Sequence, residues 1–332
     1  MDDLIRPVVV APMAGGPTTT ALVTGAADAG ALAFLAAGYK KPETVEDELR
    51  AVRNIPHGLN IFVPMPPAPD VEALERYRRL LQPEAERFQV DLPPLRLHDD
   101  DSFGAKVALA ETYAVPVVSF TFGVPERTIV ERLRRAGSRV LITVTDRDEA
   151  RRALAVQPDG LIAQAGAAGA HSSTTDPAHF QGDTSAEQVL AEVRACTDKP
   201  VIVAGGVMSA ADAYALLEKG AAAVQCGTAF LLADEAATRE AQRDAMLKRV
   251  YQKTVVTRAF TGQPARGFAN RFTEAYSKAA PIGYPAIHHL TAPIRAAAAK
   301  LGDAGSLNLW AGTGHARART GSVADLVAHL TP

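Results

Sequence analysis

The sequence predicts an α/β fold: a (β/α)8 TIM barrel with a small, mostly helical lid or second domain inserted after the eighth strand. Three observations lead there. Eight short apolar runs recur along the 332 residues, continuous rather than alternating, as strands buried on both faces are. Stretches of helical composition separate most of them. Glycine, alanine and single polar residues gather where the runs end, the edge at which such a barrel builds its site. An open doubly wound sheet competes, but it rarely needs so many consecutive units, and no GxGxxG follows the first run.

Taken in order, the expected strands are VVVAPM (8–13), LAFLAAG (32–38), LNIFVP (59–64) and VPVVSFTFG (115–123). RVLITVT (139–145), GLIAQAG (160–166), PVIVAGG (200–206) and AVQCGTAFLL (223–232) complete the set. TTTALVTGAADAG follows the first run as a helix, and PERTIVERLRRAG follows the fourth with Ile129, Leu133 and Ala136 on one face. DRDEARRALAVQ and SAADAYALLEKG follow later runs; Asp146 and Ser209 suit N-caps, and Gly30, Gly137 and Gly220 suit helix ends. Residues 65–104 form a long insertion after strand three, Pro-rich and then charged. Residues 233–285 are helical at first and are expected to form the lid. Residues 286–302 are expected to return as the closing helix, so that 1–232 and 286–332 make the barrel.

Bulk properties narrow the function. A formal charge of −2 implies no basic face, so nucleic acid is not an expected partner. No apolar stretch is long enough to span a bilayer, and the acidic start MDD is unlike a signal peptide, so a cytoplasmic protein without membrane attachment is expected. Cys196 and Cys226 read as reduced, packed thiols, with neither disulfide nor metal site. A homodimer is compatible with the sequence, which does not fix the oligomeric state.

The unusual residues fall at strand ends. Gly205–Gly206 and Gly227–Thr228 close neighbouring strands seven and eight, where backbone N–H groups can hold a phosphate; tight turns alone are the alternative. Asn60 and Gln164 offer amides suited to the edge of a flavin ring, or to satisfying loop backbone. His171 follows Gln164 across AGAAGA, a stretch with almost no bulk, and could take a proton from an acidic C–H or bond to an anion. The other histidines have no ligand-spaced partners, and the adjacent pair His288–His289 suits chelation poorly. The run Asp99–Asp101 is expected to be a solvated loop. Neither GxSxG nor HExxH occurs.

APMAGG, GYKKPE, NIFVP, SFTFG, QAGAAGAH, VAGG, QCGTAFL and TGQPARG together resemble the successive motifs of class I nitronate monooxygenases, formerly called 2-nitropropane dioxygenases. The likeness spans about residues 8–270, with an echo in GYP (283–285) and LWAG (309–312). It implies an FMN-dependent barrel, a flavoprotein oxidoreductase that oxidises alkyl nitronates with O2, usually propionate 3-nitronate. One-electron transfer to the flavin would lead to an aldehyde and nitrite-level nitrogen. It places FMN contacts on Ala11, Pro12, Met13, Asn60, Gln164, Gly169, Gly206, Gln225, Cys226, Gly227 and Thr228, with Gly205 beside them, and the catalytic role on His171. Lys40 and Tyr284 are candidates for touching substrate. The loop departs from the family's Glu-Ala and Gly-Gly-His-Arg-Gly pattern: Ala167, Ala170, Ser172 and Ser173 replace Glu, Gly, Arg and Gly. The likeness therefore does not carry substrate preference or turnover of neutral nitroalkanes. An FMN-dependent NAD(P)H enoyl-thioester reductase on a similar barrel stays open, as does a non-catalytic flavin- or phosphate-binding barrel.

Overall fold

The computed structural model describes residues 6–332; the acidic start at 1–5 lies outside them. Eight parallel strands close into a barrel in sequence order. They are β1 (Val8–Val10), β2 (Leu32–Ala36), β3 (Gly58–Phe62), β4 (Val117–Thr121), β5 (Arg139–Val144), β6 (Gly160–Gln164), β7 (Val201–Ala204) and β8 (Ala223–Cys226). β8 pairs back on β1, Val9 opposite Gln225. Each strand falls on one of the eight apolar runs.

Two apolar layers explain why those runs are unbroken. Val9, Leu32, Phe34, Val117, Leu141, Ile162 and Ile202 fill the barrel interior. Their neighbours Val8, Val10, Ala33, Leu35, Val118, Val140 and Val203 pack outward against the helices. Both faces are dry, so nothing selects for alternation. Gly58 begins β3 because the Phe34 ring fills the space beside it: a Cβ there would lie 2.4 Å from that ring. The helix signals are local and hold. Asp146 caps Arg147–Leu154 and Ser209 caps Ala210–Glu218, while Gly30, Gly137 and Gly220 take φ of +78°, +99° and +90° after helices. In the helix Arg127–Arg135 the buried pair is Val130 and Leu133, with Ile129 half-buried, so the inward face is turned by about one residue.

A second core covers one end of the barrel. Leu74, Tyr77 and Leu81 of the insertion after β3 pack with Phe260, Phe268, Phe272, Ile287, Leu290, Ile294 and Leu309. Arg271 fixes the two pieces of chain together through a two-pronged ion pair to buried Glu84, at 2.7 and 2.6 Å. Residues 233–285 are less helical than expected. Between the helices Glu240–Leu247 and Arg271–Tyr276 runs an antiparallel hairpin, Thr254–Thr257 with Ala265–Phe268. Its third strand is Ala170–His171, two residues supplied from far along the chain, and no local pattern announces such a partner. Ala286–Lys300 is a helix as expected, but it belongs to the second core. The closing position beside Thr20–Asp28 goes to Val323–Leu330.

The acidic run is also corrected. Asp100 is exposed, but Asp99 accepts from His289 Nε2 at 2.7 Å, and Asp101 pairs with fully buried Lys106 at 2.7 Å. These carboxylates pin the insertion rather than decorate it. Among the described residues no helix is long and apolar enough to cross a membrane, and no cluster of metal-ligating side chains occurs. Both cysteines are free.

Candidate active site

A cavity of 340 Å³ opens at the C-terminal ends of the strands, beneath the second core. Ala11, Pro12 and Met13 border it after β1, Asn60 on β3, Gln164 on β6, and Gly169 and His171 on the loop that follows. Gly205 and Gly206 after β7, and Gln225, Cys226, Gly227 and Thr228 at β8, complete the expected set around the same space. Lys40 is not part of this lining: its ammonium pairs with Glu48 at 2.7 Å, on the helix that follows β2. Tyr284 is buried one layer back, its ring 5.4 Å from that of Phe122 and 6.1 Å from that of His171.

Backbone geometry makes one end of the cavity polar. Gly205 and Gly206 take φ of +108° and +84°. Among the described residues, the N–H groups of Gly205, Gly206, Gly227 and Thr228 find no acceptor. At the ends of two adjacent strands they leave a row of donors for an anion. Asn60 Nδ2 is tied to Ser119 Oγ and Thr121 Oγ1, both at 2.9 Å, which leaves its Oδ1 as an acceptor towards the cavity. Gln225 Oε1 is buried without a protein partner. Burial raises the Cys226 thiol to about 12, so it stays protonated.

The His171 loop is held from three sides. Gln164 Nε2 donates to the His171 carbonyl at 3.0 Å, and Gln164 Oε1 accepts from the Ser173 N–H at 2.7 Å. Its amide thus serves the loop backbone, the plainer of the two roles expected of it. Gly169 passes close to Ala311–Gly312; a Cβ there would sit 2.6 Å from the Gly312 nitrogen. Ala170 takes φ of +65° to turn the chain into the three-stranded sheet. The imidazole Nε2 then meets Thr261 Oγ1 at 2.9 Å, and Nδ1 has no hydrogen-bond partner among the described residues. The rings of Phe122 and Trp310 stand 5.6 Å away. Burial, and then the charge of Arg295, lower the His171 pKa to about 3, so the ring is neutral at physiological pH.

Sequence reasoning missed several lining residues. Tyr39, Thr261, Arg239, His288 and Arg295 all border the cavity, and Tyr39 stacks on His288 at 4.4 Å. Arg295 carried a readable signal. It stands in the alanine-rich helix AIHHLTAPIRAAAAK, with no acid within a turn on either side.

The comparisons with known proteins agree with this geometry. The nitronate monooxygenase family model matches residues 1–332. A Staphylococcus aureus (strain JH9) protein described as a probable nitronate monooxygenase is 33% identical over 312 residues, covering 92% of this chain and 88% of that one. The crystal structure of a nitroalkane oxidase from Streptomyces ansochromogenes superposes with a TM-score of 0.95 at 42% identity, covering 99% of this chain and 96% of that one. FabK from Thermotoga maritima, at 21% identity and a TM-score of 0.72 over 98% of this chain and 92% of its own, shares the fold. The chain belongs to the nitronate monooxygenase family of enzymes.

Proposed function

We propose that the cavity binds FMN and that the enzyme oxidises alkyl nitronates with O2, propionate 3-nitronate being the reference substrate. The observation that carries this reading is the character of the lining among the described residues: unpaired N–H groups at one end, an aromatic and imidazole cluster, and no carboxylate. The residues present fit the cofactor. The donors of Gly205, Gly206, Gly227 and Thr228 would hold its phosphate. The Asn60 and Gln225 amides, with acceptors that the protein leaves unused, would meet N–H groups of its ring system or hydroxyls of its chain. Bound there, the flavin supplies the electron acceptor that nitronate oxidation needs.

The protein's own part is binding, orientation and exclusion of water. Tyr39, Phe62, Phe122, Trp310 and His288 wall the space around His171. Thr261 fixes the imidazole through Nε2 and leaves Nδ1 to face a ligand. A ring whose pKa lies near 3 holds a proton poorly, so removal of an α-proton from a neutral nitroalkane is disfavoured. The preformed nitronate is the substrate this site suits, with His171 as a hydrogen-bonding partner and not a general base.

Oxygen uptake by the protein after loading with FMN and dialysis is the test. Uptake with propionate 3-nitronate, and far less with 3-nitropropionate, whose α-carbon is still protonated, is expected. Anaerobic bleaching of the flavin by NADPH with no uptake on either compound would overturn the reading in favour of a reductase. A protein that stays colourless after added FMN is dialysed away would remove the flavin altogether.

A further inference from the structure

Among the described residues, two cations border the cavity, Arg239 and Arg295, and no carboxylate does. Neither arginine has an ion-pair partner among the described residues, whereas Lys106, the other buried cation among them, is paired with Asp101. Arg295 is the more confined, with 8% of its surface exposed. Its guanidinium is fixed by its own helix. Nε donates to Thr291 Oγ1 at 3.1 Å and Nη2 to the His288 carbonyl at 2.8 Å. Nη1 has no hydrogen-bond partner among the described residues. Residues 288, 291 and 295 share one face of the helix, so the charge is held in place rather than carried on a loose side chain.

A buried, immobilised guanidinium without a counter-charge is costly on its own. Burial brings its pKa down to about 10, and the neighbouring Arg239 charge adds to that strain, yet it stays ionised at neutral pH. A group held this way is complementary to an anion that arrives from outside.

We propose that Arg295 is the residue that recognises the ligand's own negative group, a planar two-oxygen anion of the carboxylate or nitronate type, at the His171 end of the cavity. This rests on the nitronate reading for the identity of the substrate, but not for the existence of the anion site. Arg295 is then a binding and specificity-determining residue. Arg239, held to Asn308 Oδ1 at 3.1 Å, reinforces the field without supplying the fixed fork.

Trp310 is the single tryptophan of the chain and borders the cavity, so its emission reports ligand arrival whether or not flavin is bound. Titration of the purified protein with acetate at constant ionic strength is expected to change that emission saturably, and titration with the neutral isostere acetamide is not. Arg295→Gln should weaken acetate binding by about tenfold or more, and Arg295→Lys, which keeps the charge but not the fork, by less. Acetate and acetamide binding alike in the wild type would overturn the proposal, even if Arg295→Gln failed to fold. So would a folded Arg295→Gln protein with wild-type affinity for acetate. In turnover, a rise in KM of Arg295→Gln on a plain alkyl nitronate and a carboxylate-bearing one alike assigns the nitronate to Arg295. A rise confined to the latter assigns the carboxylate, and no rise on either contradicts the site. Loss of the flavin reading alone would leave the acetate titration intact.

Discussion

Replacing His171 with Asn should flatten the acid dependence of stability. An imidazole with a folded pKa near 3 takes up its proton in the unfolded chain first, at about 6.5. Between those values the unfolded state binds more protons, so stability is full above about pH 6.5 and falls as the pH drops toward 3. The full span corresponds to at most about 5 kcal/mol, and the part between pH 7 and pH 5 to about 2 kcal/mol. Water reaching the ring from the cavity makes both figures ceilings. His288 is pushed in the same direction by burial and then by Arg295, so part of the slope persists without His171. Urea unfolding at pH 7 and pH 5 reads the difference. The wild type should lose about 2 kcal/mol more than His171→Asn over that interval, with similar m-values. Equal losses in the two proteins, or an imidazole signal of His171 that titrates near 6.5 by NMR in the folded protein, would refute the argument.

Other substitutions test separate joints of the structure. Gly58→Val drives a side chain into the Phe34 ring inside the barrel and should cost about 1–3 kcal/mol or more, seen as a lowered Tm. Arg271→Met leaves the buried Glu84 carboxylate with only Arg87, at 4.0 Å; because the Arg271 side chain is itself 41% exposed, a loss of about 1–3 kcal/mol is expected, and Glu84→Gln/Arg271→Met together should recover part of it. Lys40→Ala removes only an ion pair to Glu48 outside the cavity and should leave KM for nitronate within about twofold of wild type. Gly169→Ala pushes the His171 loop off Gly312 and should cut turnover sharply while flavin content, set largely by other residues, falls less.

The barrel was legible because strands wetted on neither face write themselves as unbroken apolar runs. Val9 and Val10 point to opposite layers, and both layers are dry. Much of the candidate site was legible for a related reason: barrel strands end in a common plane, so residues as distant as Ala11, Asn60, Gln164, Gly206 and Gln225 converge once the order of strands is known. What stayed hidden depends on contacts between distant segments. The hairpin Thr254–Phe268 finds its third strand at Ala170–His171, and Asp99 and Asp101 become structural only when His289 and Lys106 arrive. Lys40 sits in a motif yet pairs with Glu48 on the following helix, while its neighbour Tyr39 borders the cavity. Arg295, an arginine among alanines with no acid within a turn, is a charge that the local sequence leaves unbalanced, and only the folded helix shows that it borders the cavity.

The central claim is that a flavin lies across the strand ends with its phosphate on the glycines of β7 and β8. A crystal structure of the FMN-loaded protein tests it most directly. The account predicts phosphate oxygens within hydrogen-bonding distance of the N–H groups of Gly206 and Gly227 or Thr228, and the His171 imidazole over the ring system. Flavin density elsewhere, or a ring with His171 turned away from it, would contradict the account.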